Sequence, residues 1–487
     1  MTEIAAFLKI TFLALIVFYV CIQVALLISE VGSAEKAADA VPRAFRGEVS
    51  LAEHRKAIDF TAEVIQSDTV NALAGAAVAL IFTLGGGLDI LWAFVSVLTG
   101  DRGVASQFLL VVLITLILAA VDLPLDWWRN FRINERYGIE RTNARLWMRR
   151  RLRETFFGWV ADMPIVFAAL LVLNLSSYFW WILCLAVSSL WFFWHEYLYP
   201  NWVVGFSKKA HPLQEGSLKR RLQMLLVEQG YADATIYTMV RPAALKHANA
   251  LFAQSNRQSR LVLFQHTLTK LTEEELLAVV TNAVAHVARW HRFARCNLFF
   301  LLMCGFWWGF AWLSEKPYFY EALGIHPAMA LENGAVIPGV LIGIVLTTFP
   351  VILYPVVFLV HLFTRMLEYD ADACVVHTVG AVPLIRAIVK LHTDYRNTLT
   401  PNRLYSLANH RRPHITQRIL AAQAEARKLR HLAMKARQEK LADRQALFNA
   451  ILLRREENDE KGNSRRVQTA KETIAEAANL KNRTIKL

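Results

Sequence analysis

The run Ala105-Ser106-Gln107-Phe108-Leu109-Leu110-Val111-Val112-Leu113-Ile114-Thr115-Leu116-Ile117-Leu118-Ala119-Ala120-Val121 carries no charge, and nine arginines follow between Arg129 and Arg153. A helix of roughly 20 apolar residues spans a hydrocarbon core, and a short arginine-rich loop beside such a run stays cytoplasmic. The two observations predict a crossing at about 105–126 and a cytoplasmic loop at 127–154.

Further apolar runs at about 8–29, 71–98, 155–177, 178–199, 297–314 and 335–363 bring the predicted crossings to about seven. Alternation then puts the amino terminus outside and the loops 30–70 and 200–296, with the carboxy terminus, inside. The predicted fold class is an all-α multi-pass membrane protein with a small α+β cytoplasmic insert. Composition agrees: of 487 residues, 55% are hydrophobic and only 19% charged. The first run reads as a retained span rather than a leader, because only Lys9 precedes its apolar stretch and no small-residue cleavage site follows.

The net charge of +14 does not point to nucleic acid, since much of it lies beside a crossing, where anionic lipid headgroups are the partners. The five cysteines form no C-x-x-C pair, which excludes a disulfide framework and a cysteine metal site. No phosphate loop, dinucleotide fingerprint or serine triad stands out. The expected divisions are 1–70 (first span and linker), 71–199 (four spans), 200–422 (the chemical region with two spans) and 423–487 (a charged tail, helical and then disordered from Glu457).

Within the insert, a helical pattern covers Leu218 to Glu228 and short β-type runs cover Ala234–Val240, Ala250–Ala253 and Leu261–Gln265. Thr272 with Glu275 three residues on predicts a capping box. The helix it opens runs through Leu276, Val280 and His286 toward the sixth span. Pro338, Pro350 and Pro355 predict kinks in the last run, whose continuation carries Glu368, Asp370 and Asp372.

Metallopeptidases of the H-E-x-x-H type set two zinc-binding histidines one helical turn apart, with a glutamate beside the first as general base. Here Thr281-Asn282-Ala283-Val284-Ala285-His286 keeps only the second histidine. Several stretches in order nevertheless resemble the CAAX prenyl protease family of integral membrane zinc endopeptidases. These are Glu135-Arg136-Tyr137-Gly138, Asn249-Ala250-Leu251-Phe252, Leu271-Thr272-Glu273-Glu274-Glu275-Leu276, Glu368-Tyr369-Asp370-Ala371-Asp372, Leu404-Tyr405-Ser406 and Arg418-Ile419.

The resemblance implies roles. His286 matches the second zinc histidine, Glu368 the third ligand and Asp372 a supporting carboxylate. Asn249 and Ala250 match the substrate-flanking segment. Three positions depart from the pattern: Asn282 stands for a ligand histidine, Ala283 for the general base, and Arg412 for a histidine before proline, beside the substrate path. Any zinc is therefore expected to be weakly held or absent. Asp372 could move in as a third ligand, whereas His291, five residues after His286, faces about 140° away on an unbroken helix.

The leading expectation is a catalytically impaired pseudoprotease in a bacterial inner membrane, with membrane-associated peptides or proteins as partners. The alternatives are an active zinc endopeptidase with a rewired site, and a transporter or channel suggested by Asp89 after Gly85-Gly86-Gly87. Oligomeric state stays open.

Overall fold

Three glycines decide where the second crossing helix ends. A Cβ at Gly85 or Gly87 would lie 2.7 or 2.8 Å from the Ile81 carbonyl oxygen, and Gly86 has φ +72°. Only glycine makes this turn without strain. The computed structural model of the protein describes residues 3–138, 143–175, 179–198, 210–240, 250–254, 259–392, 398–459 and 473–475.

The helices before the insert are α1 (Glu3–Ala37), α2 (Leu51–Phe82), α3 (Gly87–Thr99), α4 (Val104–Trp128), α5 (Ala144–Leu175) and α6 (Trp180–Phe193). The insert contributes β1 (His211–Pro212), α7 (Ser217–Glu228), β2 (Thr235–Met239), β3 (Ala250–Gln254), β4 (Ser259–Phe264), α8 (Gln265–Lys270) and α9 (Glu273–Ala288). Then follow α10 (His291–Ser314), α11 (Pro317–Ala322), α12 (Pro327–Ala330), the hairpin β5 (Leu331–Glu332) and β6 (Ala335–Val336), α13 (Pro338–Ile352), α14 (Tyr354–Thr378), α15 (Ala381–His392), α16 (Arg403–Asn409) and α17 (Ile415–Asp459). Residues 1–423 form one compact unit and 424–487 another.

Among the described residues, five helices are long and apolar enough to cross a membrane, and six if α13 and α14, bent by 53°, count as one broken span. The expected crossing at 178–199 accounts for the difference between seven and six, and the one at 71–98 is kept with shifted bounds. The run at 71–98 is divided by the glycine turn: the crossing helix starts upstream at Leu51, and α3 is a short apolar helix of its own. The run at 178–199 yields the 14-residue α6 and a π-helical extension, Trp194–Leu198. At about 1.5 Å per residue, α6 alone reaches about 21 Å, short of a hydrocarbon core of about 30 Å. The loop expected at 30–70 is largely helical, because α1 and α2 extend into it.

The membrane core gathers Leu88, Trp92, Leu110, Ile114, Tyr320 and Ile344. At its tightest approach, a Cβ at Gly339 would come within 2.6 Å of Gln107 Cβ, and the Gly339 amide donates to Gln107 Oε1 at 3.0 Å. That bond satisfies an amide at the first turn of α13, where no helical carbonyl is available. Asp89 Oδ2 accepts the His326 amide at 2.8 Å, so this residue caps α12.

The insert forms a four-stranded sheet in the order β1-β2-β4-β3, with β2 and β4 parallel and β3 antiparallel to β4. The strands fall where the β-type runs predict them. Central β4 packs on both faces: Leu261 and Leu263 meet α7 and α9 residues including Leu222, Leu226, Leu276 and Val280, while Val262 and Phe264 meet Met239. The capping box is formed as predicted, with Thr272 Oγ1 accepting from Glu275 N and Glu275 Oε2 from Thr272 N. α17 runs to Asp459, so the disorder expected from Glu457 begins with three helical residues and otherwise concerns mainly residues outside those described.

Candidate functional site

Two helices bring the family-type positions together. α9 carries Asn282, Ala283 and His286; α14 carries Glu368, Asp370 and Asp372. Glu368 and Asp372 sit one helical turn apart on one face and are 4% and 1% exposed. Two carboxylates so removed from water need partners.

Asp372 has three bonds: it accepts Asn282 Nδ2 at 2.9 Å and, in a bidentate fork, Arg418 Nε at 2.8 Å and Nη2 at 2.6 Å. Arg418 Nη2 also lies 3.2 Å from Glu368 Oε1, while His286 Nε2 and Arg412 Nε approach Glu368 Oε2 at 3.4 and 3.9 Å. Burial alone would lower the proton affinity of Arg418, but the Asp372 and Glu368 carboxylates outweigh it and hold this guanidinium above its usual pKa. It is therefore a fixed positive charge.

The chain delivers Arg418 from the first turn of α17, and Arg365 secures that placement. Its Nη1 donates to Ser406 O at 2.8 Å and its Nη2 to Gln417 Oε1, fastening the segment between α16 and α17 over α14. The side chain of Arg412, in this segment, is mostly exposed and reaches over Glu368.

His291 corrects the sequence expectation. The helix does break: Trp290 adopts φ +57°, α9 ends, and α10 restarts at His291. His291 Nδ1 then lies 3.0 Å from His286 Nδ1, and His291 Nε2 lies 3.0 Å from Asp370 Oδ2. Asp370 also accepts Arg289 Nη1 at 2.5 Å. Since the carboxylate accepts, His291 Nε2 donates; its Nδ1 then accepts from His286 Nδ1–H. His286 Nε2 is thereby aimed at Glu368, an approach that attracts only with a proton or a cation between them. His291 orients His286 from its far nitrogen and adds no third donor beside Glu368.

The residues do not fit a zinc peptidase centre. Zinc takes three protein donors plus water, and among the described residues only His286 Nε2 and Glu368 face each other as such donors. The nitrogen of the Asn282 amide is committed to Asp372, and its neutral oxygen is a weak zinc donor. Ala283, at the position where the resemblance leads one to expect the general base, carries only a methyl group. No group of three or more His, Cys, Asp or Glu side chains arranged to hold a metal occurs among the described residues.

Of the sequence-predicted positions, Asn282, Ala283, His286, Glu368, Asp372 and Arg412 lie on the elements that meet here. Ala250 opens β3, the edge strand beside α9, paired with Leu263. Asn249 lies outside the described residues. Sequence reasoning gave Arg418 and Asp370 no role. Asp370 is two residues from both Glu368 and Asp372, about 200° around the helix, and serves His291 and Arg289 instead.

Comparison with known proteins agrees with this architecture. A family model described as "CAAX prenyl protease N-terminal, five membrane helices" matches residues 30–206, and one described as "Peptidase family M48" matches residues 212–426. CAAX prenyl protease 1 of Saccharomyces cerevisiae is 22% identical over 65% of this chain and 72% of its own length. The Arabidopsis thaliana homolog is 23% identical over 63% and 71%, and the human homolog 21% over 70% and 80%. The crystal structure of S. mikatae Ste24p superposes with a TM-score of 0.67 at 18% identity, covering 85% of this chain and 99% of that one. Fold and family matches spanning both halves lead to one conclusion: the chain belongs to the M48 peptidase family, in its CAAX prenyl protease branch.

Proposed function

We propose that this membrane protein is a catalytically impaired member of its family, a pseudoprotease that binds membrane-associated peptides or proteins without cutting them. The observation that carries the reading is the pair Asn282 and Ala283 at the ligand and base positions, with the Asn282 amide engaged by Asp372. Losing a general base costs about 10²–10⁴ in rate, and a missing ligand compounds it. Any zinc at His286 and Glu368 is weakly held. The site face and the carboxy terminus are cytoplasmic, on the argument of the arginines between Arg129 and Arg153. The relatives named above come from a yeast, a plant and human, and lend no support to the bacterial inner membrane expected from sequence.

A bound peptide adds alongside β3, the last strand of the sheet, in the mode in which backbone hydrogen bonds give affinity and side-chain pockets give selectivity. The nature of the client and recognition of an isoprenyl group are open to the same binding assays. Elemental analysis of detergent-purified protein tests the reading: zinc well below one per chain, with no peptide hydrolysis, is expected. Stoichiometric zinc and cleavage abolished by Glu368→Ala would instead establish a rewired enzyme, the reading favoured by the approach of His286 to Glu368.

A further inference from the structure

Outside the site, one cluster of charges is unbalanced. The π-helical turn Trp194–Leu198 at the end of α6 places Glu196 against Arg295, in the first turns of α10. The same carboxylate serves Arg411 at 3.5 Å through its other oxygen. Arg292, whose charged neighbours are Glu196 and Arg295, spends its Nη2 on the Phe252 carbonyl of β3 at 2.7 Å, a neutral acceptor. Three guanidiniums thus share one carboxylate among the described residues, leaving two positive charges without an anion. Glu196 and Arg295 are largely buried, with side chains 14% and 13% exposed, while Arg411 is open at 53%. An excess of positive charge partly withdrawn from water is costly until an anion joins it.

The surroundings say which anion. The cluster sits where α10, one of the crossing helices, begins. The same helix ends carry exposed aromatic residues: Trp290 and Phe293, with ring centroids 5.9 Å apart, at the start of α10, and Trp191 and Trp194 around the end of α6. Exposed tryptophans at the end of a crossing helix mark the headgroup level of a bilayer, and guanidinium forks match phosphate oxygens in pairs.

We propose that Arg292, Arg295 and Arg411 form a binding site for the phosphate of an anionic phospholipid headgroup, at the helix ends that carry the exposed Trp290 and Trp194, at the membrane boundary beside the family-type site. Glu196 bridges Arg295 and Arg411 and competes with an incoming phosphate for them. A peptide end carrying a free carboxylate is the competing occupant, but nothing about a soluble peptide accounts for the exposed aromatic residues at the same helix ends.

Native mass spectrometry of the full-length protein in detergent, with phosphatidylglycerol or phosphatidylcholine added, tests the proposal. Phosphatidylglycerol is expected to be retained preferentially, and Arg292→Gln with Arg411→Gln to lower its retention about tenfold, the scale of one charge-assisted contact. Glu196→Gln, which removes only the competing carboxylate, is expected to strengthen retention. It keeps the test decisive if the arginine variant folds poorly. Equal retention of the two lipids, no change in either variant, or equal displacement by inorganic phosphate or by a peptide with a free carboxy terminus would each overturn the proposal.

Discussion

The amide nitrogen of Asn282 donates to Asp372 Oδ1 at 2.9 Å, so the residue at the proposed first ligand position is tied to the proposed supporting carboxylate. Ligand and base can therefore be restored separately. Asn282→His supplies a third donor beside His286 and Glu368 and is expected to bring zinc close to one per chain. Ala283→Glu alone is expected to bring none. Hydrolysis should appear only with both changes, since the base contributes about 10²–10⁴ in rate once water is bound to metal. Zinc content and turnover of a quenched peptide, measured on all three variants, check this; zinc without Asn282→His would refute it.

Arg418 holds two buried carboxylates, and removing it leaves both without their fixed cation. Breaking a buried ion pair from one side typically costs about 3–5 kcal/mol. Arg418→Leu is expected to lower the unfolding temperature sharply, or to prevent purification of folded protein. Asp372→Asn, which keeps the shape and removes one charge, should cost less and should partly rescue Arg418→Leu. Thermal unfolding of the single and double variants gives the coupling between the two positions, and additive losses would show that they act independently.

Some of this was legible in the sequence and some was not, for physical reasons. The strands at Thr235–Met239, Ala250–Gln254 and Ser259–Phe264 follow from β-type composition, and the Thr272–Glu275 box from a local capping rule. Glu368 and Asp372 share a face because 3.6 residues make a turn. The bounds of Leu51–Phe82 and the shortness of α6 are not legible because hydropathy averages over the Gly85–Gly87 turn and cannot see where an α-helix ends at Phe193. On an unbroken helix His291 faces away from His286. The left-handed Trp290 that brings it to His286 leaves no local signal, since tryptophan rarely adopts φ +57°. Arg418 lies 46 residues from Asp372, and no periodicity links positions so far apart.

The bond between His286 and His291 predicts a positioning role that appears once zinc binds. A histidine ligand is held by whatever accepts its other N–H, and losing that partner typically costs 10- to 100-fold in metal affinity. In protein carrying Asn282→His and Ala283→Glu, His291→Ala is expected to weaken zinc by about that factor. His291→Asn, which retains an acceptor, should recover part of the loss. Competition with a chromogenic chelator measures both, and unchanged zinc affinity in the alanine variant would assign His291 to packing alone.

Acid sensitivity follows from the histidines around the segment that delivers Arg412 and Arg418. The His392 and His414 rings pack 5.6 Å apart, and burial pushes their pKa values down to about 4 and about 3, from 6.5. His410 is held low as well, by burial first and then by Arg365. Below about pH 6.5 the unfolded chain takes up these protons while the folded chain refuses them, so stability rises with pH through this window and falls as pH drops from 6.5 toward the folded values. Each group contributes up to about 1.4 kcal/mol per pH unit. Unfolding temperatures between pH 7.5 and 5 are expected to be flat above about 6.5 and to decline below it. His414 Nδ1 accepts from the Thr416 amide at 3.3 Å, a role the side-chain oxygen of asparagine can fill without titrating. His414→Asn should therefore shift the whole curve by its packing cost yet make the decline shallower, and an unchanged slope would show that the folded chain takes up the His414 proton as readily as the unfolded one.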